Sequence, residues 1–299
     1  MKRARIILGI LCLITILGGI GYIYEKRQNL DTEAPVLQAK ADTIKADIQA
    51  TDAELMHGIT AEDNMDGDVS DTVLIESIIK KEDGVANEFW ITYVAFDEAN
   101  NSGTLTRTLF YEDYRQPHYV LEQPLRFPEN KPLSLLDYFQ AEDCLDGDIS
   151  PFITLEGGTD ILREAPQKGF YDITLSVTNS VGDTAELPMQ VEIYEDSYEI
   201  QTFQPEIVLN QYIVYIKQGE EFFADRYLEQ IKDKGIKLID SRSEEEYSWE
   251  EDNSKIHISK IGMESNVDVN VSGIYSVVYS YTSDETGYGC NTRLIVVVE

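Results

Sequence analysis

The sequence predicts an all-β protein made of three tandem sandwich domains that follow one N-terminal apolar helix. Three observations lead to this prediction: an internal repeat, an alternation of apolar and polar residues within each repeat, and a polar turn after each alternating run. The repeat period is near 80 residues. Solenoid units are shorter, at roughly 20 to 50 residues, so each copy is expected to be one whole small domain.

The repeat is clearest in an acidic segment that occurs twice. Residues 61–70 read AEDNMDGDVS and residues 141–150 read AEDCLDGDIS, at an offset of 80. Downstream, residues 91–101 align without a gap to residues 173–183 at an offset of 82. A third copy of this second half begins at Gly273. The chain therefore carries two close copies and one divergent copy.

Alternation within the repeats predicts strands. Tyr171, Ile173, Leu175 and Val177 alternate with polar residues, which places one apolar face inward with a period of two. The third copy alternates in the same way at Tyr275, Val277, Tyr279 and Tyr281. After each turn a closing strand is expected, over residues 104–111, 185–194 and 292–299.

Short strands separated by frequent turns are typical of sandwiches. Two stretches, Asp52–Gly58 and Arg226–Lys232, have a helical pattern, and we expect one or two helical turns there. Prolines and polar spacers predict the following division: 1–24 as a signal anchor or transmembrane helix, 25–33 as a linker, and domains at 34–113, 114–197 and 198–299.

The N-terminus predicts export. Residues 6–24 form an uncharged run of 19 residues after three basic residues. At about 1.5 Å per residue, a helix of this length nearly spans a bilayer core. We interpret residues 1–24 as an uncleaved anchor, which predicts a single-pass cell-membrane protein with extracellular C-terminal domains.

A cleaved signal peptide is the alternative, because Gly19 and Gly21 resemble a small-residue processing site and cleavage would secrete the protein. A lipoprotein signal at Cys12 is disfavoured, since most of the apolar run follows that cysteine. The thiols Cys12, Cys144 and Cys290 fit no metal-ligand spacing and no disulfide framework.

Charge restricts the partners. The formal net charge is −31, and such a surface repels phosphate backbones, so the sequence predicts no nucleic-acid binding. The charge suits calcium or cationic partners. The alternative is that it only keeps an exposed surface soluble.

The residues around Tyr171 and Tyr275 resemble a known stretch. Gly169–Ile173 and Ser272–Val277 look like the Gly-x-Tyr entry to strand F of immunoglobulin-like domains, where the tyrosine hydroxyl closes a tyrosine corner. Phe89 takes the place of this tyrosine in the first repeat. The resemblance therefore implies tyrosine corners in the second and third repeats only.

A wider pattern resembles the bacterial surface immunoglobulin-like family, which occurs in tandem on exported Gram-positive proteins and in some insecticidal crystal proteins. It rests on Ala34-Pro35-Val36, the acidic loop Asp63–Ser70 and the turn Asp97–Asn101. The resemblance covers residues 34–299 and implies immunoglobulin-like sandwiches at a cell surface. It implies no particular ligand, because the fold hosts many functions.

In this topology the acidic loop and the Asp97 turn lie at the same end of a sandwich. Their carboxylates are oxygen ligands of the kind that calcium takes. The candidate calcium ligands are Asp63, Asp66, Asp68 and Asp97 in the first repeat, and Asp143, Asp146, Asp148 and Asp183 in the second.

The sequence favours an architectural role for these residues, with no cofactor: glycines supply turn conformations and aspartates cap their own backbone. Calcium binding is the alternative. The spacing also departs from the EF-hand loop. The third repeat keeps only a remnant of the acidic loop, Lys232–Gly235.

No catalytic motif is present: the sequence has no Ser-His-Asp order, Cys-His pair, HExxH or phosphate loop. The sequence therefore predicts no enzyme. It favours a membrane-anchored, extracytoplasmic structural or adhesive surface protein. The alternatives are a carbohydrate- or cell-wall-binding module, or a calcium-stiffened spacer that serves a partner enzyme or secretion system.

Partner recognition, of a surface protein or a glycan, is expected in the third domain. There residues 240–252 form an acidic insertion that contains Tyr247 and Trp249. Sugar binding usually needs exposed aromatic rings, whereas the strand pattern predicts that Trp90, Tyr93 and Tyr279 are buried.

Overall fold

A computed structural model describes residues 13–21, 31–157, 166–242 and 254–299. Residues 13–21 are helical (α1). Across those four ranges, no helix combines the length and the apolar character needed to cross a membrane. The remainder of the expected anchor lies outside the described residues, as do Tyr247 and Trp249 of the acidic insertion.

Strands dominate the regular structure of the rest of the described chain, which confirms the all-β prediction. Two short helices interrupt the strands, α2 (Asp52–Leu55) and α3 (Tyr198–Phe203). The chain divides into two compact units, residues 1–114 and residues 115–299. The finer division into three domains stays a prediction.

The first unit contains two sheets. Their strand orders are β1-β3-β4 and β2-β7-β6-β5. β1 pairs with β3 in antiparallel fashion, and β2 pairs with β7 in parallel. The strands are β1 (Val36–Ala39), β2 (Thr43–Ala46), β3 (Ile59–Asp63), β4 (Gly67–Asp68), β5 (Leu74–Lys80), β6 (Glu88–Phe96) and β7 (Ser102–Tyr111).

Alternation along β6 builds the core of the first unit. Phe89, Ile91 and Tyr93 are fully buried, and Leu37 and Ala61 bring buried side chains from the other sheet. The two sheets therefore enclose a common apolar layer, as in a sandwich. The ring of Phe89 lies edge-on to two tyrosine rings, at centroid distances of 5.3 and 4.8 Å.

Helix α2 is a single turn that is stabilised at its N-terminus. The hydroxyl of Thr51 accepts a hydrogen bond from the backbone of Glu54, and the Glu54 carboxylate accepts one from the Thr51 backbone. This capping box satisfies two backbone donors. It places Leu55 in the core, where the carbonyl of Leu55 accepts hydrogen bonds from the Tyr93 hydroxyl at 2.7 Å and from Arg107.

The second unit contains four sheets. Their orders are β11-β10-β8, β12-β13-β14-β9, β15-β17-β18-β19 and β16-β22-β21-β20. The strands of the first two sheets are β8 (His118–Leu121), β9 (Arg126–Pro128), β10 (Phe139–Asp143), β11 (Gly147–Asp148), β12 (Thr154–Glu156), β13 (Gly169–Thr178) and β14 (Thr184–Tyr194).

The remaining two sheets of the second unit follow α3. Their strands are β15 (Glu206–Leu209), β16 (Ile213–Ile216), β17 (Leu228–Lys232), β18 (Ile236–Asp240), β19 (Lys255–His257), β20 (Gly262–Ser265), β21 (Gly273–Thr282) and β22 (Gly289–Val298). The closing strands β7, β14 and β22 confirm the three runs that alternation predicted.

Both expected tyrosine corners are present. The hydroxyl of Tyr171 donates to the carbonyl of Gln167 at 2.7 Å, and the hydroxyl of Tyr275 donates to the carbonyl of Val271 at 2.9 Å. Each bond spans four residues and fixes the entry to a long strand.

The four sheets of the second unit share one continuous set of buried apolar residues. At β8 and β16 the Tyr215 hydroxyl accepts a hydrogen bond from the Tyr119 backbone at 2.7 Å. The imidazole of His118 stacks on the Tyr215 ring with centroids 3.7 Å apart, and its Nε2 lies 2.8 Å from Glu299. Residues 115–299 are therefore held together by packing and by specific polar contacts.

Two local predictions were wrong. Residues 226–232 are not a helix: a single 3-10 turn over Ala224–Tyr227 is followed by strand β17, which pairs on both sides with β15 and β18. Sheet pairing thus overrides the local helical pattern. Trp90 is 41% exposed rather than buried, because it alternates with the buried Phe89 on β6. Tyr93 and Tyr279 are fully buried, as predicted.

Candidate metal centre

The first acidic loop begins where β3 ends. The Oδ1 atom of Asp63 accepts hydrogen bonds from the backbone N–H groups of Met65 at 2.8 Å and Asp66 at 3.0 Å. These bonds, Asp66 first, lower the pKa of the Asp63 carboxyl below its ordinary value. Gly67 then turns the chain with φ at +74°, a conformation that glycine adopts without strain. The loop therefore holds Asp63 ionised and fixed.

A second loop brings Asp97 to the same place. Its Oδ1 accepts from the Asn101 backbone at 2.7 Å, and its Oδ2 accepts from the Asn101 side-chain amide at 2.6 Å. Asp66 links the two loops, since its Oδ2 accepts from the backbone of Glu98 at 2.8 Å. The expected convergence of the two loops is thereby present in the first unit.

Asp31 comes from the spacer that precedes β1. Its Oδ1 accepts from the Glu33 backbone at 3.1 Å, and its carbonyl accepts from the Asn101 amide at 3.4 Å. The register of β1 and β3, with Val36 opposite Glu62, explains its position. Because the strands are antiparallel, the chain before β1 runs beside the loop after β3.

Each of these four aspartates offers one carboxylate oxygen to a common point, and the four oxygens lie within 4.8 Å of one another: Asp31, Asp63, Asp66 and Asp97. The Oδ2 atoms of Asp31 and Asp63 are buried and have no hydrogen-bond partner among the residues that the structure describes. Asp63 is only 6% exposed. A buried carboxylate oxygen without a partner is costly, so this arrangement favours a bound cation.

The four oxygens are close enough to share one calcium ion. Calcium binds oxygen ligands at about 2.3 to 2.6 Å, so two oxygens on opposite sides of the ion are about 4.6 to 5.2 Å apart. The four oxygens lie within 4.8 Å of one another, which is no wider than such a coordination shell. Asp31 was not among the predicted ligands. The sequence feature that could have indicated Asp31 is its position three residues before the Ala34-Pro35 opening of the first domain.

Asp68 does not join this cluster, although the sequence grouped it with the others. It lies opposite Glu62 in the register of β3 and β4, so its side chain shares the face of Glu62 and not that of Asp63. Its Oδ1 accepts from the Ser70 backbone at 3.0 Å. The Ser70 hydroxyl and backbone lower the pKa of Asp68, which acts as a turn cap.

The second acidic loop has the same turn but a different neighbour. Asp143 Oδ1 accepts from Leu145 at 2.8 Å and from Asp146 at 3.0 Å, as Asp63 does in the first loop. Asn179 stands where the first repeat has Asp97, and its amide donates to Asp143 Oδ2 at 3.1 Å. The oxygen that lacks a partner in the first loop has one here.

The other predicted ligands of the second loop are also engaged. Asp146 accepts from the backbone of Ser180 at 2.6 Å and from its hydroxyl at 2.7 Å. Asp183 accepts from the Gln116 amide at 3.3 Å, and Asp148 accepts from the Ser150 hydroxyl at 2.6 Å. Within the described ranges, Asp143, Asp146, Asp148 and Asp183 form no carboxylate cluster like that of the first loop.

In the remnant loop of the third repeat, hydroxyl groups and a lysine surround the buried aspartate. Buried Asp233 accepts from the Tyr281 hydroxyl and from the Ser283 hydroxyl, each at 3.0 Å. The ammonium group of Lys237 lies 3.6 Å from Asp233 Oδ2. The equivalent aspartate therefore has different neighbours in the three loops. Asp63 lies among carboxylates, Asp143 accepts from an amide, and Asp233 lies beside two hydroxyls and a lysine.

No protein-family model matches the sequence, and no curated protein matches it. Among solved structures, the chain is similar to the M60 catalytic domain with the CBM51-1 and CBM51-2 domains of Clostridium perfringens ZmpB. Identity is 14%, the match covers 88% of this chain and 30% of that one, and the TM-score is 0.22. A structure of CBM51-2 with the INT domains of the same protein is also similar, and the match covers 26% of that chain.

Two further similar structures have other origins. Drosophila N-cadherin EC1-4 is 11% identical, with 86% of this chain and 73% of that chain covered and a TM-score of 0.25. The lipoprotein BT2262 from Bacteroides thetaiotaomicron is 11% identical, with 60% and 98% covered and a TM-score of 0.22. This chain spans about a third or less of the ZmpB structures, and none of these similarities supports an inference about function.

Proposed function

We propose that this chain is a non-catalytic, extracytoplasmic scaffold protein whose first sandwich binds one calcium ion. The ligands are Asp31, Asp63, Asp66 and Asp97. The observation that carries the proposal is that the buried Oδ2 of Asp63 has no hydrogen-bond partner among the described residues, in a side chain whose carboxylate is one of the four that converge. A divalent cation offsets both the missing hydrogen bond and the repulsion among four negative charges.

The donor set selects calcium over other metals. All four side chains offer oxygen, whereas zinc prefers nitrogen and sulfur ligands. Magnesium requires near-ideal octahedral geometry and keeps several of its waters. Calcium accepts irregular sites with carboxylates from separate loops, which is the arrangement in the first unit.

The ion connects the spacer to the sandwich. Asp31 belongs to the residues before β1, while Asp63, Asp66 and Asp97 belong to two loops of the first unit. Binding through all three segments holds the spacer against the first sandwich. With a membrane anchor at residues 1–24 and domains at 34–113, 114–197 and 198–299, the ion stiffens the membrane-proximal end of a surface protein.

Thermal unfolding of the full-length chain tests the ion. Excess calcium is expected to raise the Tm relative to a chelator, because a ligand that binds only the folded state stabilises it by about 2.7 kcal/mol at 100 times its Kd. Asp63→Asn removes the response, and Asp68→Asn is the matched control that keeps it. A Tm that is the same in calcium and in chelator contradicts the proposal.

Hydrogen exchange tests the role of the spacer. Amides of residues 31–36 are expected to exchange more slowly in calcium than in chelator, and this protection disappears in Asp31→Asn. Protease treatment of intact cells tests the location. Loss of residues 115–299 from cells whose cytoplasmic proteins survive supports extracellular exposure, whereas full protection contradicts it.

A further inference from the structure

A cavity of about 350 Å³ lies within the second unit, between the outward faces of two sheets. One wall is the sheet of β12, β13, β14 and β9, which contributes Phe170 and Gln190. The opposite wall is the sheet of β16, β22, β21 and β20, which contributes Ile274, Ser276 and Arg293. This volume is at the lower end of the range for ligand pockets, about 300 to 1,000 Å³.

The walls of this groove belong to one compact unit. The buried apolar residues of the second unit are continuous across both sandwiches. Close to the groove, the backbone of Tyr212 donates to the carbonyl of Leu121 at 3.3 Å, and Arg293 Nη2 lies 3.5 Å from Gln190 Oε1. The groove is therefore formed before any ligand arrives, as is usual for ligand sites.

One wall of the groove offers an aromatic ring to solvent. Phe170 is 67% exposed on β13, and Ile274 on the other wall is 39% exposed. Apolar side chains that flank a polar groove mark a surface on which a ligand buries apolar area. The C–H face of a sugar ring supplies such area while its hydroxyls remain available for hydrogen bonds.

The lining of the groove carries two arginines, Arg126 and Arg293, and one carboxylate, Glu192. A neighbouring depression shares Gln190 and Arg293 and adds Glu156 and Asp172, and Asp172 accepts a hydrogen bond from the Gln190 amide at 2.9 Å. Arg126 and Glu192 pair at 3.1 Å and neutralise each other. Arg293 has no acidic partner in the described part of the chain, and its side chain donates to the amide oxygen of Gln190. The net charge of the chain is −31, so this guanidinium is an exception. Its planar fork of donors matches a carboxylate.

The other polar groups are neutral and can both donate and accept. They are the side chains of Gln190, Asn266, Ser276 and Asn291. Such groups suit a ligand rich in hydroxyls. A peptide strand is disfavoured because Pro188, which lines the groove in β14 opposite Thr174, has no N–H to offer an added strand.

We propose that this groove binds a saccharide of one or two rings that carries a carboxylate. Phe170 lies against the apolar face of a ring, Arg293 pairs with the carboxylate, and the amide and hydroxyl side chains bind the ring hydroxyls. The site is separate from the calcium centre of the first unit and depends on none of its residues.

The test begins with the full-length chain on a glycan array that contains neutral and uronic-acid oligosaccharides, with acidic peptides on the same array. Binding of uronic-acid sugars above neutral ones is expected. A matched pair in solution, digalacturonate against galactobiose, then measures the contribution of the carboxylate by titration calorimetry. We expect the acidic disaccharide to bind at least tenfold more tightly.

Variants locate the site. Phe170→Ala and Arg293→Gln are each expected to weaken digalacturonate binding at least tenfold, while Phe152→Ala, a control at another phenylalanine of similar exposure (66%), leaves it unchanged. Both target side chains lie at outward positions, and circular dichroism confirms folding. Arg293→Lys keeps the charge without the fork and is expected to fall between Arg293→Gln and the wild type.

Three outcomes overturn the proposal: no binding of any carboxylated sugar, equal binding of the acidic and neutral disaccharides, or selective binding of acidic peptides. Binding that survives Phe170→Ala overturns the assigned location. The measurement is made in chelator and repeated with Asp97→Asn. Sugar binding is expected to persist in both, which separates a failure here from a failure of the calcium proposal.

Discussion

The side-chain amide of Asn179 donates to Asp143 Oδ2 at 3.1 Å, and no equivalent bond reaches Asp63 from the described residues of the first repeat. Asp97 occupies the aligned position there and presents a carboxylate instead. Two loops of nearly the same sequence therefore differ in charge at one point. In the second loop a neutral donor satisfies the buried aspartate, and in the first the proposed calcium ion takes that role.

Replacing Asn179 by aspartate is expected to make the stability of the second loop depend on calcium. Asn179→Asp removes the donor from Asp143 and adds a negative charge beside it. A hydrogen bond to a charged group contributes roughly 1.5 to 3 kcal/mol, so a loss of about 2 kcal/mol in unfolding free energy is expected in chelator. Chemical denaturation in chelator and in calcium measures the change.

The double variant Asn179→Asp, Asp183→Asn is the control for that exchange, because it reproduces the Asp97 and Asn101 pair of the first repeat. Calcium is expected to restore part of the stability lost in each variant. If both variants are as stable as the wild type in chelator, the amide of Asn179 does not have the role assigned to it.

Tyr93 and Tyr279 occupy equivalent strand positions with different surroundings. Each hydroxyl donates to a backbone carbonyl at 2.7 Å, that of Leu55 and of Ala224 respectively. Only Tyr93 also accepts from a buried arginine, Arg107 Nε, at 2.8 Å. Tyr93→Phe is therefore expected to cost about 2 to 3 kcal/mol, since it leaves the Nε of buried Arg107 without its acceptor, and Tyr279→Phe about 1 kcal/mol.

Denaturant unfolding of the two variants measures this difference. Burial raises the pKa of Tyr93, and this effect is larger than the lowering by the Arg107 guanidinium. Equal losses in the two variants would show that the Arg107 contact contributes nothing to stability.

The tyrosine corner of the third repeat is expected to be a modest stabilising element. Tyr275→Phe removes the hydrogen bond to Val271 and leaves the ring in place. A typical neutral hydrogen bond contributes roughly 0.5 to 1.5 kcal/mol, so a loss of about 1 kcal/mol is expected. Tyr171→Phe in the second repeat should give a similar loss, and a change below 0.3 kcal/mol in both (about the limit of such measurements) contradicts the assignment.

Acid stability depends on the loop caps. The Ser150 hydroxyl, followed by its backbone N–H, lowers the pKa of Asp148. Because the folded pKa is lower than the unfolded one, this carboxylate stabilises the fold above its unfolded pKa of about 3.9, and the contribution is lost as pH falls through the folded pKa. Ser150→Ala is expected to raise the pKa of Asp148 and shift that loss to higher pH.

Carbon-detected NMR titration of the aspartate carboxyls measures this shift. The pKa of Asp240 is held down by the Arg242 guanidinium and is the internal control, which should not move. An unchanged pKa of Asp148 in Ser150→Ala rules out the hydroxyl as the main cause.

Periodicity was sufficient for most of the strands, because apolar alternation and turn residues are local signals. Alternation also implied that Trp90 and Phe89 point to opposite faces of the sheet. The strand that contains Trp90 was therefore predicted correctly, and only the face on which Trp90 lies was wrong. Arg226–Lys232 was wrong for another reason: pairing of β17 with two neighbours outweighs a weak helical pattern.

Spacing alone was not sufficient for the site. Asp68 lies two residues from Asp66, yet its cross-strand partner Glu62 places it on the other face. Asp31 is 32 positions before Asp63 and reaches it only through the register of β1 and β3. The difference between the two acidic loops depends on one contact, that of Asn179, which no pattern within a loop reveals.

Titration calorimetry of the full-length chain with calcium tests the central claim most directly. One calcium ion per chain is expected for the wild type. Asp97→Asn gives the first repeat the asparagine that the second repeat has at position 179, and it is expected to abolish binding while the chain stays folded in chelator. Two ions per chain, no binding, or unchanged binding in Asp97→Asn would contradict a single calcium site built on Asp31, Asp63, Asp66 and Asp97.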